Sequence, residues 1–191
     1  MAAQISRPRL LIAPGLQTDA PDAAAIEAAV QVGDVASAIL NHQADAGLVG
    51  LLQGYGVAVL IADDAATAQT LGADGVHLTT ESANVPMFDA AKQMLGGDAI
   101  VGAACGADRH RAMLLAEAGA DYIAFDITDD VELALWWATV FEVPAVTLGR
   151  LDADNATRLA AAGVEFLGVG VDVAHIRAID AIAAAHPFEE V

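Results

Sequence analysis

The chain has 191 residues and a mass of 19.4 kDa, the size of one domain, with eight Lys plus Arg against 26 Asp plus Glu for a net charge of −18. With 56% hydrophobic and 18% charged residues it lacks the lean, highly charged profile of a disordered chain, and it is long enough to bury a sizeable core. The same charge excludes nucleic acid and an anionic membrane as default partners, since either polyanion would be repelled.

Cys105 is the single cysteine, which rules out an intrachain disulfide and a cysteine-built metal site. Near the N-terminus Arg7 and Arg9 are not followed by an apolar segment with a small-residue cleavage site, so a cytoplasmic protein is expected. The uncharged stretch 46–62 contains four glycines and Gln53 and falls short of the roughly 20 apolar residues of a membrane span. It reads as a buried helix, a turn at Gly54-Tyr55-Gly56 and a strand.

Taken in chain order, the pattern predicts strands over 9–13, 28–32, 57–61, 75–78, 99–103, 122–125, 145–148 and 166–169. Helices are predicted over 34–55 (with a break), 65–71, 87–95, 107–118, 131–140, 152–162 and 172–185. Three segments are alike: Leu71-Gly72-Ala73-Asp74-Gly75-Val76, Ala118-Gly119-Ala120-Asp121-Tyr122-Ile123 and Ala162-Gly163-Val164-Glu165-Phe166-Leu167. Their glycines lie 47 and 44 residues apart. Each ends an alanine-rich run where a left-handed helix cap is wanted, and each precedes an apolar run suited to a strand buried on both faces. The repeat unit is therefore two βα modules. Eight strands alternating with helices predict a compact (β/α)8 TIM barrel, residues 1–191 forming one domain, in preference to a doubly wound open sheet. No Gly-x-Gly-x-x-Gly follows the first strand, which disfavours the open sheet.

In such a barrel chemistry sits at the C-terminal ends of the strands. That rule selects Gln31, Asp63-Asp64, His77 with Thr79, Thr80 and Glu81, the 104–106 turn, Asp126 to Asp130, Gly149-Arg150, and the 170–172 turn. Asp63 is a candidate Mg2+ ligand, while Asp64 reads as the cap of the following helix. His77 could act as an acid or base, or pack as a neutral core histidine. Cys105 reads as a small buried hydrophobe, Arg109-His110-Arg111 as an exposed first helical turn, and Trp136-Trp137 as packing against the barrel or another subunit. Arg150 beside Gly149 is placed for a phosphate. The acids at 126–130 read either as a cation site or as the cap of the next helix.

Gly72-Ala73-Asp74-Gly75-Val76-His77-Leu78 followed by Thr79-Thr80-Glu81 resembles the GADGVHLGQED segment of thiamine phosphate synthases. Ile100-Val101-Gly102 and Gly119-Ala120-Asp121-Tyr122-Ile123-Ala124-Phe125 are similar to the same family's IIGVS and GADYIGF. The resemblance, to the thiamine phosphate synthase and thiazole tautomerase family, implies a (β/α)8 barrel. It also implies that an aminopyrimidine pyrophosphate is joined to thiazole phosphate, with Mg2+ holding the departing pyrophosphate. It places substrate contacts at Gln31, His77, Thr80, Gly149 and Arg150, and a metal ligand at Asp63. Against the family pattern, Ser82 stands where a second metal aspartate is expected, and Asp126-Ile127-Thr128-Asp129-Asp130 replaces a lysine-containing pyrophosphate loop. Two alternatives stand beside the synthase: a binding or regulatory barrel, as a homo-oligomer, and a different enzyme on the same scaffold. In all three a small molecule occupies the C-terminal mouth.

Overall fold

The computed structural model describes residues 6–16 and 22–188. Eight parallel strands close into a barrel in sequence order: β1 (Arg9–Ile12), β2 (Val35–Leu40), β3 (Ala58–Ala62), β4 (Gly75–Leu78), β5 (Ile100–Gly106), β6 (Tyr122–Asp126), β7 (Ala145–Leu148) and β8 (Phe166–Val169). The helices between and after them are α1 (Ala23–Val30), α2 (Ala46–Gly54), α3 (Ala65–Leu71), α4 (Val85–Leu95), α5 (Arg109–Glu117), α6 (Glu132–Val140), α7 (Ala153–Ala161) and α8 (Val173–Ala184). The barrel and seven of its strands lie where the sequence places them. The segment 46–62 forms α2, the expected turn and β3, and among the described residues no helix is long and apolar enough to cross a membrane.

The second module differs. Residues 28–30 belong to α1, Gln31 is its cap and Val32 follows, and the strand lies inside the stretch read as the start of a long helix. Asp22 caps α1 by accepting from the Ala24 and Ala25 N–H groups, and Ile26, Ala29 and Val30 form its buried stripe. Val35–Leu40 is apolar but for Ser37, which suits a parallel strand covered on both faces as well as it suits a buried helix. Periodicity could not separate the two.

The register divides the core in two. Residues at alternate strand positions, Leu11, Ile39, Leu60, Tyr122, Ala124 and Val146 among them, fill the barrel axis, and their neighbours in sequence pack outward beneath the helices. Trp137 anchors α6 in the outer layer, stacked on Phe141 at 4.0 Å, tilted against Phe125, and donating its indole N–H to the Val143 carbonyl. Trp136 packs beside it and carries the Arg109 guanidinium over its ring.

The three repeated segments do the same mechanical work. Gly72, Gly119 and Gly163 all have positive φ and turn the chain out of a helix. The acid two positions later then reaches sideways to the first amides of the preceding strand. Asp74 accepts from Val59 N–H at 2.7 Å, Asp121 from Val101 N–H at 2.7 Å, and Glu165 from Ala145 N–H at 2.9 Å. β3, β5 and β7 are thus pinned to their neighbours at the N-terminal face. At the same face Arg7 and Arg9 pair with Asp34, and Arg7 also pairs with Asp180 of α8, closing the seam between β1 and the last helix.

Candidate functional site

At the opposite face the strand ends surround a cavity of about 800 Å3 lined by Leu16, Asn41, His42, Ala62, Asp63, His77, Thr79, Thr80, Glu81, Ala104, Asp126, Thr128, Leu148 and Gly149. Its size suits a small-molecule site. Of the residues expected there, Asp63, His77, Thr80 and Gly149 are brought together. Gln31 is not. It caps the C-terminus of α1, exposed at the N-terminal side, where its amide donates to the Tyr55 hydroxyl at 2.7 Å. The displaced strand is the reason: β2 ends at Leu40, so the mouth receives Asn41 and His42 instead. Arg150 follows Gly149 but points to solvent, forms no ion pair among the described residues, and does not line the cavity.

Asp63 is held in an uncommon state. Its φ of +55° makes it the one non-glycine residue with positive φ among the described residues. One carboxylate oxygen accepts from Thr79 N–H at 2.8 Å and the other from the Thr79 hydroxyl at 2.6 Å. Asp64 caps α3 as expected, accepting from the amide and hydroxyl of Thr67, and these hydrogen bonds hold its carboxyl below the usual carboxylate range. Across the mouth Asp126 turns onto Thr128, accepting from its amide at 2.9 Å and its hydroxyl at 2.6 Å. Of the acidic run, Asp130 accepts from Glu132 N–H at 3.0 Å, while the N-cap position of α6 falls on Val131, without a side-chain cap. Gly149 has φ of +113°, and a Cβ there would meet the Thr128 hydroxyl and the Asp126 carboxylate, so β7 turns away from the mouth only because this residue lacks a side chain.

His77 forms part of the cavity floor and is fully buried. Its Nδ1 lies 2.7 Å from the Tyr122 hydroxyl, and the two rings stack within 10° at 5.8 Å. Burial lowers its pKa from 6.5 to about 4, against a smaller opposing pull from the Asp63 charge, so the ring is neutral at pH 7. Burial also raises the Tyr122 hydroxyl well above its ordinary value. Tyr122 had no sequence reading as a site residue, although strand alternation puts it on the same barrel-facing side as Asp126. Cys105 is buried beneath the site with its thiol pushed up to about 12, mainly by desolvation, which removes it as a nucleophile.

The lining contains three carboxylates and neither Lys nor Arg. Arg111, the nearest guanidinium tied to the rim, donates to the Thr80 carbonyl at 2.8 Å. Of the two magnesium aspartates that the resemblance implies, the chain supplies Asp63 and has Ser82 in place of the second. Both Asp63 oxygens are engaged by Thr79, and no group of three His, Cys, Asp or Glu side chains able to hold a metal occurs among the described residues.

Fold and mouth together define a (β/α)8 barrel with a neutral histidine at the floor of an acidic, hydroxyl-rich cavity at its C-terminal face. The sequence model of the TMP-TENI family, described as thiamine monophosphate synthase, matches residues 42–173, and the chain belongs to that family. It is 38% identical over 135 residues to the thiamine-phosphate synthase of Erythrobacter litoralis, covering 64% of this chain and 62% of that protein. It is 36% identical over 172 residues to that of Hyphomonas neptunium, covering 78% of this chain and 76% of the other. The barrel superposes on the thiamine phosphate pyrophosphorylase of Pyrococcus furiosus with a TM-score of 0.78 over 93% of this chain and 96% of that one, at 18% identity.

Proposed function

We propose that the protein serves thiamine biosynthesis as a thiamine-phosphate synthase, joining an aminopyrimidine pyrophosphate to thiazole phosphate in the C-terminal mouth and releasing pyrophosphate. The observation that carries this reading is the mouth itself: in a chain of this family, a cavity of about 800 Å3 lies where the strand-end rule puts the chemistry, with room for two small heterocycles. In this reading His77 supports a heterocycle from below, the Thr79, Thr80 and Thr128 hydroxyls orient it, and the exposed Arg150 beside Gly149 meets the phosphate at the rim. A cytoplasmic setting goes with it, consistent with the one free, buried thiol.

A second reading has its own observation. The lining carboxylates Asp63, Glu81 and Asp126 oppose negative charge growing on a departing pyrophosphate, and no lining cation offsets them. That favours a family barrel that holds a heterocycle without performing the transfer. Pyrophosphate release by the purified protein, given both substrates and Mg2+, separates the two. Turnover that Arg150→Ala diminishes supports the synthase. Absence of turnover, with calorimetric binding of the unphosphorylated heterocycle intact, supports the binding barrel.

A further inference from the structure

Among the described residues, His77 Nε2 is the one buried side-chain nitrogen or oxygen without a hydrogen-bond partner. Such groups are rare in folded proteins and call for an explanation. The explanation begins one strand pair away. Tyr122 is buried, and the contact with His77 Nδ1 is the hydrogen bond its hydroxyl makes. Its ring fits beside His77 because position 102, its register partner on β5, is glycine: a Cβ there would collide with the Tyr122 ring.

Two proton arrangements satisfy the 2.7 Å contact. If Nδ1–H donates to the tyrosine oxygen, the phenolic proton has no acceptor and Nε2 is a bare acceptor, leaving two buried groups unsatisfied. If the phenol donates to Nδ1, its proton is satisfied and a single group, Nε2–H, is left over. Each unsatisfied buried polar group carries a desolvation penalty, and orphaned donors are the rarer kind. The second arrangement is the cheaper one, and it puts the remaining donor on a ring that floors the mouth.

We infer that Tyr122 is a positioning residue that fixes His77 as its Nε2–H tautomer, so that the floor of the mouth presents a neutral N–H donor to an acceptor atom of the bound molecule. This rests on the reading that the ligand occupies the mouth. The recognised chemistry is an uncharged acceptor, such as an unprotonated ring nitrogen of a heterocycle. Asp63 and Asp126 line the same cavity and disfavour an anionic group at that depth, and they also favour a ligand whose outer edge carries N–H donors.

The test uses the full chain labelled with 15N at histidine, with His77→Asn to identify the His77 signals. In the ligand-free protein the expected pattern is a protonated, pyrrole-type Nε2 and an unprotonated, pyridine-type Nδ1; the reverse pattern overturns the inference. Tyr122→Phe should release the ring to a mixture of tautomers, and an unchanged spectrum would remove Tyr122 from the role. Adding the aminopyrimidine alcohol should move the Nε2 signal, whereas its benzene analogue should not. Its affinity should fall about twofold in Tyr122→Phe, the factor expected when about half of the rings hold the binding tautomer. If the ligand-free tautomer is as expected but no heterocycle binds, the functional reading fails and the positioning role stands. Binding that leaves Nε2 unmoved overturns the assigned contact.

Discussion

Substitutions at Asp63 separate its bonds to Thr79 from the cost of its backbone. The side chain accepts two hydrogen bonds from Thr79, at 2.8 and 2.6 Å, in an exposed setting, and it does so at φ +55°. At roughly 1 kcal/mol per bond, the pair contributes about 2 kcal/mol. A left-handed residue with a Cβ costs about 1 kcal/mol relative to glycine. Asp63→Ala should therefore lose about 2 kcal/mol, because it drops both bonds and keeps the strain. Asp63→Gly should lose only about 1 kcal/mol, because relief of the backbone offsets half the loss. Asp63→Asn should be nearest the parent, since its carbonyl still accepts from Thr79 N–H and its amide can donate to the hydroxyl. Urea unfolding at pH 7 measures all three, and 2 kcal/mol corresponds to roughly 4–8 °C in Tm for a domain of this size. A glycine variant less stable than the alanine variant would refute the reasoning. Repeating the series in millimolar Mg2+ adds a second readout: a stabilisation seen in the parent but not in Asp63→Ala would show Asp63 to be a metal ligand.

Gly102→Ala should destabilise the barrel by about 3 kcal/mol, because the methyl group and the Tyr122 ring claim the same space; a thermal melt matching the parent would sink this. His77 predicts an acid limb. Its folded pKa of about 4 lies below its ordinary 6.5, so the neutral ring contributes fully above 6.5 and that contribution is lost as pH falls towards 4. The loss is about 3 kcal/mol, and His77→Gln should flatten the limb in urea midpoints measured across that window. Cys105, buried and with a thiol near 12, should react with a thiol reagent only at the rate of global opening. Fast labelling of the native protein would contradict its burial.

The barrel was legible because glycine marks the ends of its repeated helices, and because runs such as Ala145–Leu148 and Phe166–Val169 are too short and too apolar for anything but buried strands. β2 was misread because Ala-Ser-Ala-Ile-Leu carries no feature that separates a covered strand from a buried helix. The error reached the site: with the strand placed early, Gln31 took a position at the mouth that belongs to Asn41 and His42. Asp63, His77, Thr80 and Gly149 line one cavity, as the strand-end rule expects of a barrel. Arg150 stands exposed beside Gly149 and outside the cavity lining, because the sequence gives a residue's position in the chain and not the direction of its side chain. Tyr122 shows no signal alone, and acquires a role only through the register that sets it against His77 and Gly102.

The acids of the three repeated segments bear on how likeness within this family translates into activity. Asp74, Asp121 and Glu165 hold strand starts at the N-terminal face, a strand's length from the mouth. Asp74 and Asp121 lie in segments that resemble the family, and there they act as rivets of the frame. They can persist under selection for folding alone, whatever residues the opposite rim carries. Resemblance in those segments measures how faithfully the scaffold has been kept, and the rim records separately what has been done with it.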